Sequence, residues 1–572
     1  MLLAAFCCLG MAAEAQQPGR DGLPDVNGVR DVTLDSLEKA NQARPVSGST
    51  RKAGRPVLFL VGNSTMRNGT LGNGSNGQWG WGHFAREYFD ADSISVENHA
   101  LGGTSPRTFY RKLWAPVLAG VQAGDYVVLE LGHNDNGPLD SGRARASYRG
   151  ADGQDQLSDD SVVVTVQETG EREVVYTFGG YIRRFVSDIR SKGAQPILLT
   201  LTPRNAYTDD GRIDRKLTSF TPWIKALSEE LGVPCIDLND RSATKLERYG
   251  TWKANYHFFG DKIHSSLFGA RMNAASFAEG VAESADPALH ALGSYLIPSK
   301  VYPVSLKEVA YLGAHPLVWQ RGKGHIGEEK SGKKKDKKPT VFLTGDSTVK
   351  NADKDSAGMW GWGSQAYRVF DRQKCQVINA AKAGRSTRTY LEEGRWDEVY
   401  NSVEPGDFVL IQFGHNDIGP IDGQKERGCI ATASDTCHVY KLQSNGQFRV
   451  VYSFGWYLKK FIQDVREKGG VPVLVSLTPR NEWPGGKVER RNDSYGRWYR
   501  QVAEETGVLF IDLHNITADA LDKMGQGRAA QMFNHDHTHT SLQGARLNAD
   551  GVAKGIRRLK GSDAKALRKL LR

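Results

Sequence analysis

Two apolar runs frame the chain, Val57-Leu58-Phe59-Leu60-Val61 and Val341-Phe342-Leu343. Each is a continuous block rather than an alternation, which is how a strand buried on both faces reads. Each leads into a glycine and a serine, as Val61-Gly62-Asn63-Ser64-Thr65 and Thr344-Gly345-Asp346-Ser347-Thr348. A buried strand, a tight turn and a serine opening a helix would expose one hydroxyl at the sheet edge, near helix N-terminal amides that stabilise negative charge. Further strands are predicted over 94–97, 126–131, 196–201 and 233–238, and then over 340–344, 375–379, 407–413, 472–477 and 508–513. Amphipathic stretches lie between them, such as Tyr181–Arg190, apolar at helical spacing. Strands alternating with helices predict an α/β architecture, with a parallel sheet of about five strands covered on both faces.

The pattern occurs twice. Trp79-Gly80-Trp81-Gly82 matches Trp360-Gly361-Trp362-Gly363, Gly132-His133-Asn134-Asp135 matches Gly414-His415-Asn416-Asp417, and Val174-Val175-Tyr176 matches Val450-Val451-Tyr452. Thr202-Pro203-Arg204-Asn205 likewise matches Thr478-Pro479-Arg480-Asn481. The copies keep a separation of 283 positions at Ser64 and Ser347, 282 at Asn134 and Asn416, and 275 at His264 and His539. This is a tandem domain duplication, not a short-period solenoid. We divide the chain into 1–15, a signal peptide; 16–55, a polar leader or strap; 56–290, the first domain; 291–338, a linker; and 339–572, the second domain. Within the linker the apolar part Tyr295–Trp319 is expected to pack on one domain, and the Lys-rich end to be solvated.

Composition narrows the setting. At 572 residues with 39% hydrophobic residues the chain can build two cores, and no stretch reaches the roughly 18 consecutive apolar residues of a membrane helix. Residues 1–15 have a short apolar core and end Ala-Glu-Ala, without a basic start, and predict a secreted or periplasmic protein. Six cysteines include none at Cys-x-x-Cys zinc spacing, and Cys429 and Cys437 share one polar loop that could close a local disulfide. Cys235 and Cys375 fall on predicted strands. The net charge of +10 suits a polyanionic substrate, and no nucleic-acid-binding motif accompanies it.

The chemistry lies in residues both copies share. Late in each comes Asp-x-x-His, as Asp261–His264 and Asp536–His539, followed by Ser-x-x-Gly-Ala-Arg-x-Asn. Acyl transfer needs a serine, a histidine to take its proton and an acid to hold the imidazole in one tautomer. It also needs fixed donors for the oxyanion. Gly103 or Gly384 after the second strand and Asn134 or Asn416 after the third are placed for that, since open α/β sheets bind ligands at the C-terminal ends of their strands. The alternating His535, His537 and His539 could suggest metal, but the first copy has Gly260 and Lys262 at two of these positions. His133 and His415 read as buried structural groups. The Trp-Gly-Trp-Gly pairs read as packing.

These blocks (Gly-Asp-Ser, the later glycine, Gly-x-Asn-Asp and Asp-x-x-His) resemble the SGNH, or GDSL-type, hydrolases. The fuller forms Gly-Asp-Ser-Thr, Ala-Gly-Arg-Ser and Gly-His-Asn-Asp resemble its rhamnogalacturonan acetylesterase branch. The resemblance spans most of 56–283 and 339–557. It implies two flavodoxin-like three-layer α/β/α domains, no metal and no cofactor. It also implies nucleophiles Ser64 and Ser347, bases His264 and His539, and their partners Asp261 and Asp536. The oxyanion holes would be built from Gly103 and Asn134, and from Gly384 and Asn416, with each serine's own N–H. The implied substrate is an acetylated acidic plant polysaccharide, with Arg107, Arg385 and Arg388 positioned to meet its carboxylates. Two readings compete with this one: the same machinery acting on another acylated polymer such as xylan, or a first domain reduced to a binding module. The first copy departs from the pattern at Asn63, where the family has Asp, and at Thr104, where the second copy has Arg385; the binding-module reading rests on Asn63 alone.

Overall fold

The computed structural model describes residues 44–67, 78–254, 257–259, 261–302, 306, 338–350, 358–444, 448–534 and 536–572. The expected signal segment, most of the leader, most of the Lys-rich run and His535 lie outside these residues.

The first domain is a parallel sheet of β1 (Val57–Gly62), β2 (Ser95–Asn98), β3 (Tyr126–Glu130), β6 (Gln195–Leu199) and β7 (Cys235–Ile236), in the order β2-β1-β3-β6-β7. A separate antiparallel hairpin joins β4 (Ser161–Thr165) to β5 (Arg172–Tyr176). The second domain repeats the arrangement. Its sheet runs β9-β8-β10-β13-β14, from β8 (Thr340–Gly345), β9 (Gln376–Asn379), β10 (Phe408–Gln412), β13 (Val471–Val475) and β14 (Leu509–Ile511). Its hairpin joins β11 (Cys437–Lys441) to β12 (Phe448–Tyr452).

The apolar runs explain the layers. In β1 every residue is buried; Leu58 and Leu60 enter one core cluster, and Val57, Phe59 and Val61 the cluster on the opposite face. In the second domain Val341 and Leu343 likewise face one cluster and Phe342 the other. Alternation across a strand thus serves two cores. Both of the first domain's sheet-facing clusters are covered by helices, among them α1 (Phe178–Ser191), α2 (Phe220–Leu231) and α3 (Leu267–Ala282).

Helix starts follow their caps. Thr177 Oγ1 accepts from Gly180 N ahead of α1, and Ser266 Oγ accepts from Gly269 N ahead of α3. After Ser64 and Ser347 the described residues form a turn, with Arg67 N donating to Asn63 O and Lys350 N to Asp346 O. No helix follows directly among the described residues.

The strap is visible from residue 44. Arg51 pairs with Asp125 at 2.6 Å, and Gly48 N and Thr50 N both donate to the buried Glu97. Leu296 and Val301 complete the first domain's core, whereas Leu306 packs in the second domain's core and its N–H donates to Ser402 Oγ. The four described cysteines are free. Cys429 Sγ lies 3.5 Å from Asp417 Oδ1, and Cys437 is buried in β11 at the side of Tyr452. The possible 429–437 disulfide is therefore replaced by two buried thiols. Cys375 precedes β9 rather than lying on it.

Candidate active sites

The strand order places the sites. β1 is flanked by β2 on one side and β3 on the other, so the loops leaving their C-terminal ends diverge around a crevice. Ser64 follows β1, the Gly102-Gly103 loop follows β2, and Asn134 follows β3. A Cβ on Gly102 would stand 3.6 Å from Ser64 Cβ, so the glycine loop runs beside the serine. Gly103 and Gly384 have φ of +81° and +76°, a left-handed conformation that a side chain would strain.

The histidines arrive from the far end of each domain. In the first, Asp261 Oδ1 accepts from Ile263 N and His264 N at 2.7 Å each, which folds the loop into one tight turn. This directs Asp261 Oδ2 onto His264 Nδ1 at 2.6 Å and leaves His264 Nε2 2.8 Å from Ser64 Oγ. In the second, Thr538 N and His539 N donate to Asp536 Oδ1, Asp536 Oδ2 meets His539 Nδ1 at 2.6 Å, and His539 Nε2 lies 2.9 Å from Ser347 Oγ. With Nδ1 held by the carboxylate, Nε2 is the nitrogen free to accept the serine proton.

Burial alone would raise the Asp261 carboxyl. Its hydrogen bond and attraction to His264, with the two loop amides, outweigh that and bring it down to about 2. Burial opposes ionisation of Asp536 as well, and the amide and ring of His539 bring it to about 2. Both acids are anions at any pH where the serine could react.

Asn134 Nδ2 donates to Thr104 O and Asn416 Nδ2 to Arg385 O, both at 3.1 Å, so each amide faces the glycine loop across the crevice. The following acid ties that loop down in the second domain, whereas Asp135 holds Ser147 instead. Asp417 accepts from Gly414 N, Thr387 N and Thr387 Oγ1. Burial pushes the Asp135 and Asp417 carboxyls up to about 6, against hydrogen bonds from Ser147 and Thr387 respectively. His133 and His415 are forced toward the neutral form chiefly by burial, and bond Thr202 and Thr478 through Nε2 at 3.0 and 3.1 Å.

The three arginines separate. Arg107 and Arg388 are fully buried, contrary to their expected place at the substrate. Arg107 donates to Leu139 O and Ala146 O and pairs with Glu173; Arg388 donates to Ile421 O and Glu426 O. A guanidinium carries five donors in a fixed fork, and here Nη1 of Arg107 and Nη2 of Arg388 each serve two loop carbonyls inside the fold. Arg385 alone lies at the rim, paired with Glu393 at 2.9 Å. Its counterpart Thr104 is buried and donates to Leu101 O.

Two features escaped sequence reasoning. Arg427 Nη1 donates to Asn416 Oδ1 at 3.0 Å, and Arg145, at the matching place in the first copy, lies near Gly103 O and Asn136 Oδ1. Their equal spacing from the two asparagines was the available signal. The other is a buried network under the nucleophile. Trp81 Nε1 donates to Glu130 and Trp362 Nε1 to Gln412, which confirms the packing role expected for these tryptophans. Among the described residues no cluster of three or more His, Cys, Asp or Glu could hold a metal ion, and no helix is long and apolar enough to cross a membrane.

The chain matches the GDSL-like Lipase/Acylhydrolase family over residues 60–272 and again over 343–547. It is 30% identical over 219 residues to a rhamnogalacturonan acetylesterase of Emericella nidulans, covering 38% of this chain and 84% of that protein. It is 33% identical over 239 residues to the rhamnogalacturonan acetylesterase RhgT of Bacillus subtilis, covering 39% of this chain and 92% of that one. Among solved structures, an acetylxylan esterase of Geobacillus stearothermophilus aligns at 18% identity with a TM-score of 0.28, over 38% of this chain and 93% of that chain. Each of these matches accounts for little more than a third of the chain, one domain's worth, whereas the family itself is matched twice. With two parallel five-stranded sheets carrying the family's blocks in order, the chain belongs to the GDSL-like Lipase/Acylhydrolase family, in tandem, and is a hydrolase of the esterase type.

Proposed function

We propose that both domains are serine esterases that remove acetyl groups from an acetylated acidic plant polysaccharide, with rhamnogalacturonan the leading substrate. The observation that carries this reading is the duplicated serine–histidine–aspartate geometry, 2.8 and 2.6 Å in one domain and 2.9 and 2.6 Å in the other. In the second domain Ser347 Oγ attacks the acetyl carbonyl as His539 Nε2 takes its proton, and Asp536 stabilises the imidazolium. The oxyanion is received by the N–H of Ser347, the N–H of Gly384 and the amide of Asn416. His539 then gives its proton to the departing sugar oxygen, leaving acetyl-serine. Water, deprotonated by the same histidine, releases acetate and restores the serine. In the first domain Ser64, His264, Asp261, Gly103 and Asn134 take the same parts.

The substrate rests on the relatives that act on rhamnogalacturonan and on the rim position of Arg385, where a uronate carboxylate could replace Glu393. A polymer of this size meets the enzyme outside the cell, in keeping with the export expected from residues 1–15. Two domains on one chain would raise the effective concentration of the second site along the same polymer.

The test is acetate release from acetylated rhamnogalacturonan and acetylated xylan by the wild type, Ser64→Ala, Ser347→Ala and the double variant. Partial activity in each single variant and none in the double is the expected result. Complete loss in Ser347→Ala alone would make the first domain accessory. Release by the double variant would overturn the serine assignments, and preference for xylan would overturn the substrate.

A further inference from the structure

The two catalytic loops, alike in sequence and hydrogen bonding, differ in what stands behind them. Phe259, two residues before Asp261, is fully buried and belongs to the same apolar cluster as Tyr390, Tyr452 and Trp456 of the second domain. Phe268, four residues after His264, stacks on Trp456 with ring centroids 5.8 Å apart and lies 6.3 Å from Tyr452. Arg271, one turn further along α3, donates to Glu392 O at 2.8 Å. Arg449, at the second domain's hairpin, stands 5.1 Å from the ring of Trp79, which is 1% exposed. These contacts reach the triad by short links. Phe259 N donates to His264 O, Gln78 Nε2 donates to Phe259 O, and Trp79 N donates to Ser265 O.

The second domain's own loop carries different residues at the matching positions. In the register of the two histidines, Phe259 corresponds to Asn534 and Phe268 to Gln543, which is exposed. Arg546, matching Arg271, is exposed too, and Trp360, matching Trp79, is only half-buried. The receiving face is one-sided as well. Trp456 falls at the position of Gly180 in the first copy, so that domain keeps Tyr176 at the place of Tyr452 but has no counterpart of the ring on which Phe268 stacks. A head-to-tail contact between like domains would in general propagate to a further copy. Here each copy keeps only the half it uses: apolar donor residues on the first, an aromatic acceptor on the second. The asymmetry is written in the sequence, so it is a specific docking and not a chance contact between tethered domains.

We propose that the second domain is a structural part of the first domain's active site, its Tyr452–Trp456 face holding the Asp261–His264 loop in place through Phe259 and Phe268. The second domain's site stands by itself. Phe268 is thus a positioning residue, acting through the loop and touching no reacting atom. The proposal rests on the reading of Ser64 as a nucleophile, and its test separates the two. A fluorophosphonate reports the triad without regard to the sugar: serine Oγ bonds to phosphorus, fluoride leaves, and the histidine takes the proton. Its rate of reaction with Ser64 is measured in full-length Ser347→Ala protein, alone and with Phe268→Gln or Phe268→Leu. Gln copies the second domain and Leu retains an apolar contact. We expect Phe268→Gln to slow Ser64 labelling on the order of tenfold or more, since small misplacement of a reacting pair is costly, and Phe268→Leu to recover most of the rate. Labelling of Ser347 in Ser64→Ala protein should not change with Phe268→Gln. An unchanged Ser64 rate in Phe268→Gln overturns the proposal, as does an equal slowing at Ser347, which would mark a general loss of fold. If Ser64 fails to label even with Phe268 intact, the nucleophile assignment itself falls, and the brace with it.

Discussion

Asn63 and Glu130 meet on one hydroxyl: Thr65 Oγ1 lies 2.9 Å from Asn63 Oδ1 and 3.2 Å from Glu130 Oε1. In the second domain the matching hydroxyl of Thr348 donates to Asp346 Oδ1 and accepts from Gln412 Nε2, each at 2.8 Å. Acid and amide have changed places. Each domain keeps one buried carboxyl beneath its nucleophile, and burial raises Glu130 and Asp346 alike. The backbone bond that shapes the turn is kept too, since Thr65 N donates to Asn63 Oδ1 as Thr348 N does to Asp346 Oδ1. Asn63 is therefore matched by a compensating exchange at Glu130, which keeps a carboxyl in the network.

This exchange predicts a non-additive pair. Asn63→Asp alone sets two carboxyls around Thr65 and should cost about 1–3 kcal/mol, the scale of a buried polar group left poorly matched. Glu130→Gln alone should also destabilise, because Trp81 Nε1 and Thr202 N both donate to that carboxylate. The double variant rebuilds the second domain's arrangement and should recover stability beyond the sum of the two. Urea unfolding of the first domain's transition in the full chain, read as a double-mutant cycle, checks this. Simple additivity would mean that the two positions are independent.

The continuous apolar runs made the sheets legible, because a strand covered on both faces needs little else to declare itself. The grouping of Ser64 with Asp261 and His264, and of Ser347 with Asp536 and His539, was legible because duplication put the same spacing before the eye twice. The hairpins were not. Ser161–Thr165 alternates exposed and half-buried residues, and its valines signal neither a core strand nor a helix. Arg107 and Arg388 were misplaced because a charged residue beside a binding loop reads as exposed until the carbonyls it satisfies are seen. The interdomain stack was beyond reach, since Phe268 and Trp456 share no motif and meet only in the fold.

From its burial, Arg388→Ala should act on stability rather than on substrate affinity. Losing the donors to Ile421 O and Glu426 O leaves carbonyls unpaired inside the loop and should cost about 2–4 kcal/mol. Arg388→Lys should recover little, because the shorter lysine stem does not carry its ammonium to the place of Nη2, which holds both carbonyls. Urea midpoints and KM on one oligosaccharide, measured together, decide the matter. A raised KM at unchanged stability would return Arg388 to the substrate.

Arg427 fixes the amide of Asn416 by occupying its oxygen, which leaves the nitrogen as the end turned to the glycine loop. Arg427→Met in Ser64→Ala protein should lower kcat by roughly tenfold, less than the ~10²–10³ expected for losing an oxyanion donor outright, with KM little changed. Arg145→Met in Ser347→Ala protein should do less, because Arg145 is near Asn136 Oδ1 at 3.4 Å rather than bonded to Asn134. Equal effects in the two domains would show that bulk positive charge, not amide orientation, is what the arginines supply.

The acids of the triads bear on both rate and acid stability. Asp261 and Asp536 titrate at about 2 in the folded protein, below the ordinary carboxylate range, so between roughly pH 2 and 4 the unfolded chain binds protons that the native one does not. Their contribution to stability is complete above about pH 4 and is lost as pH falls toward 2. Asp261→Asn and Asp536→Asn should each flatten that part of the stability curve and leave stability near neutral pH less affected than activity. Each should cut the rate of its own domain by roughly 10³–10⁴, because an amide at Nδ1 no longer selects the tautomer that leaves Nε2 free. Acetate release by Asp536→Asn in Ser64→Ala protein, followed across pH, is the decisive measurement. Near-normal turnover there would mean that some other group orients His539, and the role given to the Asp-x-x-His turn would fall.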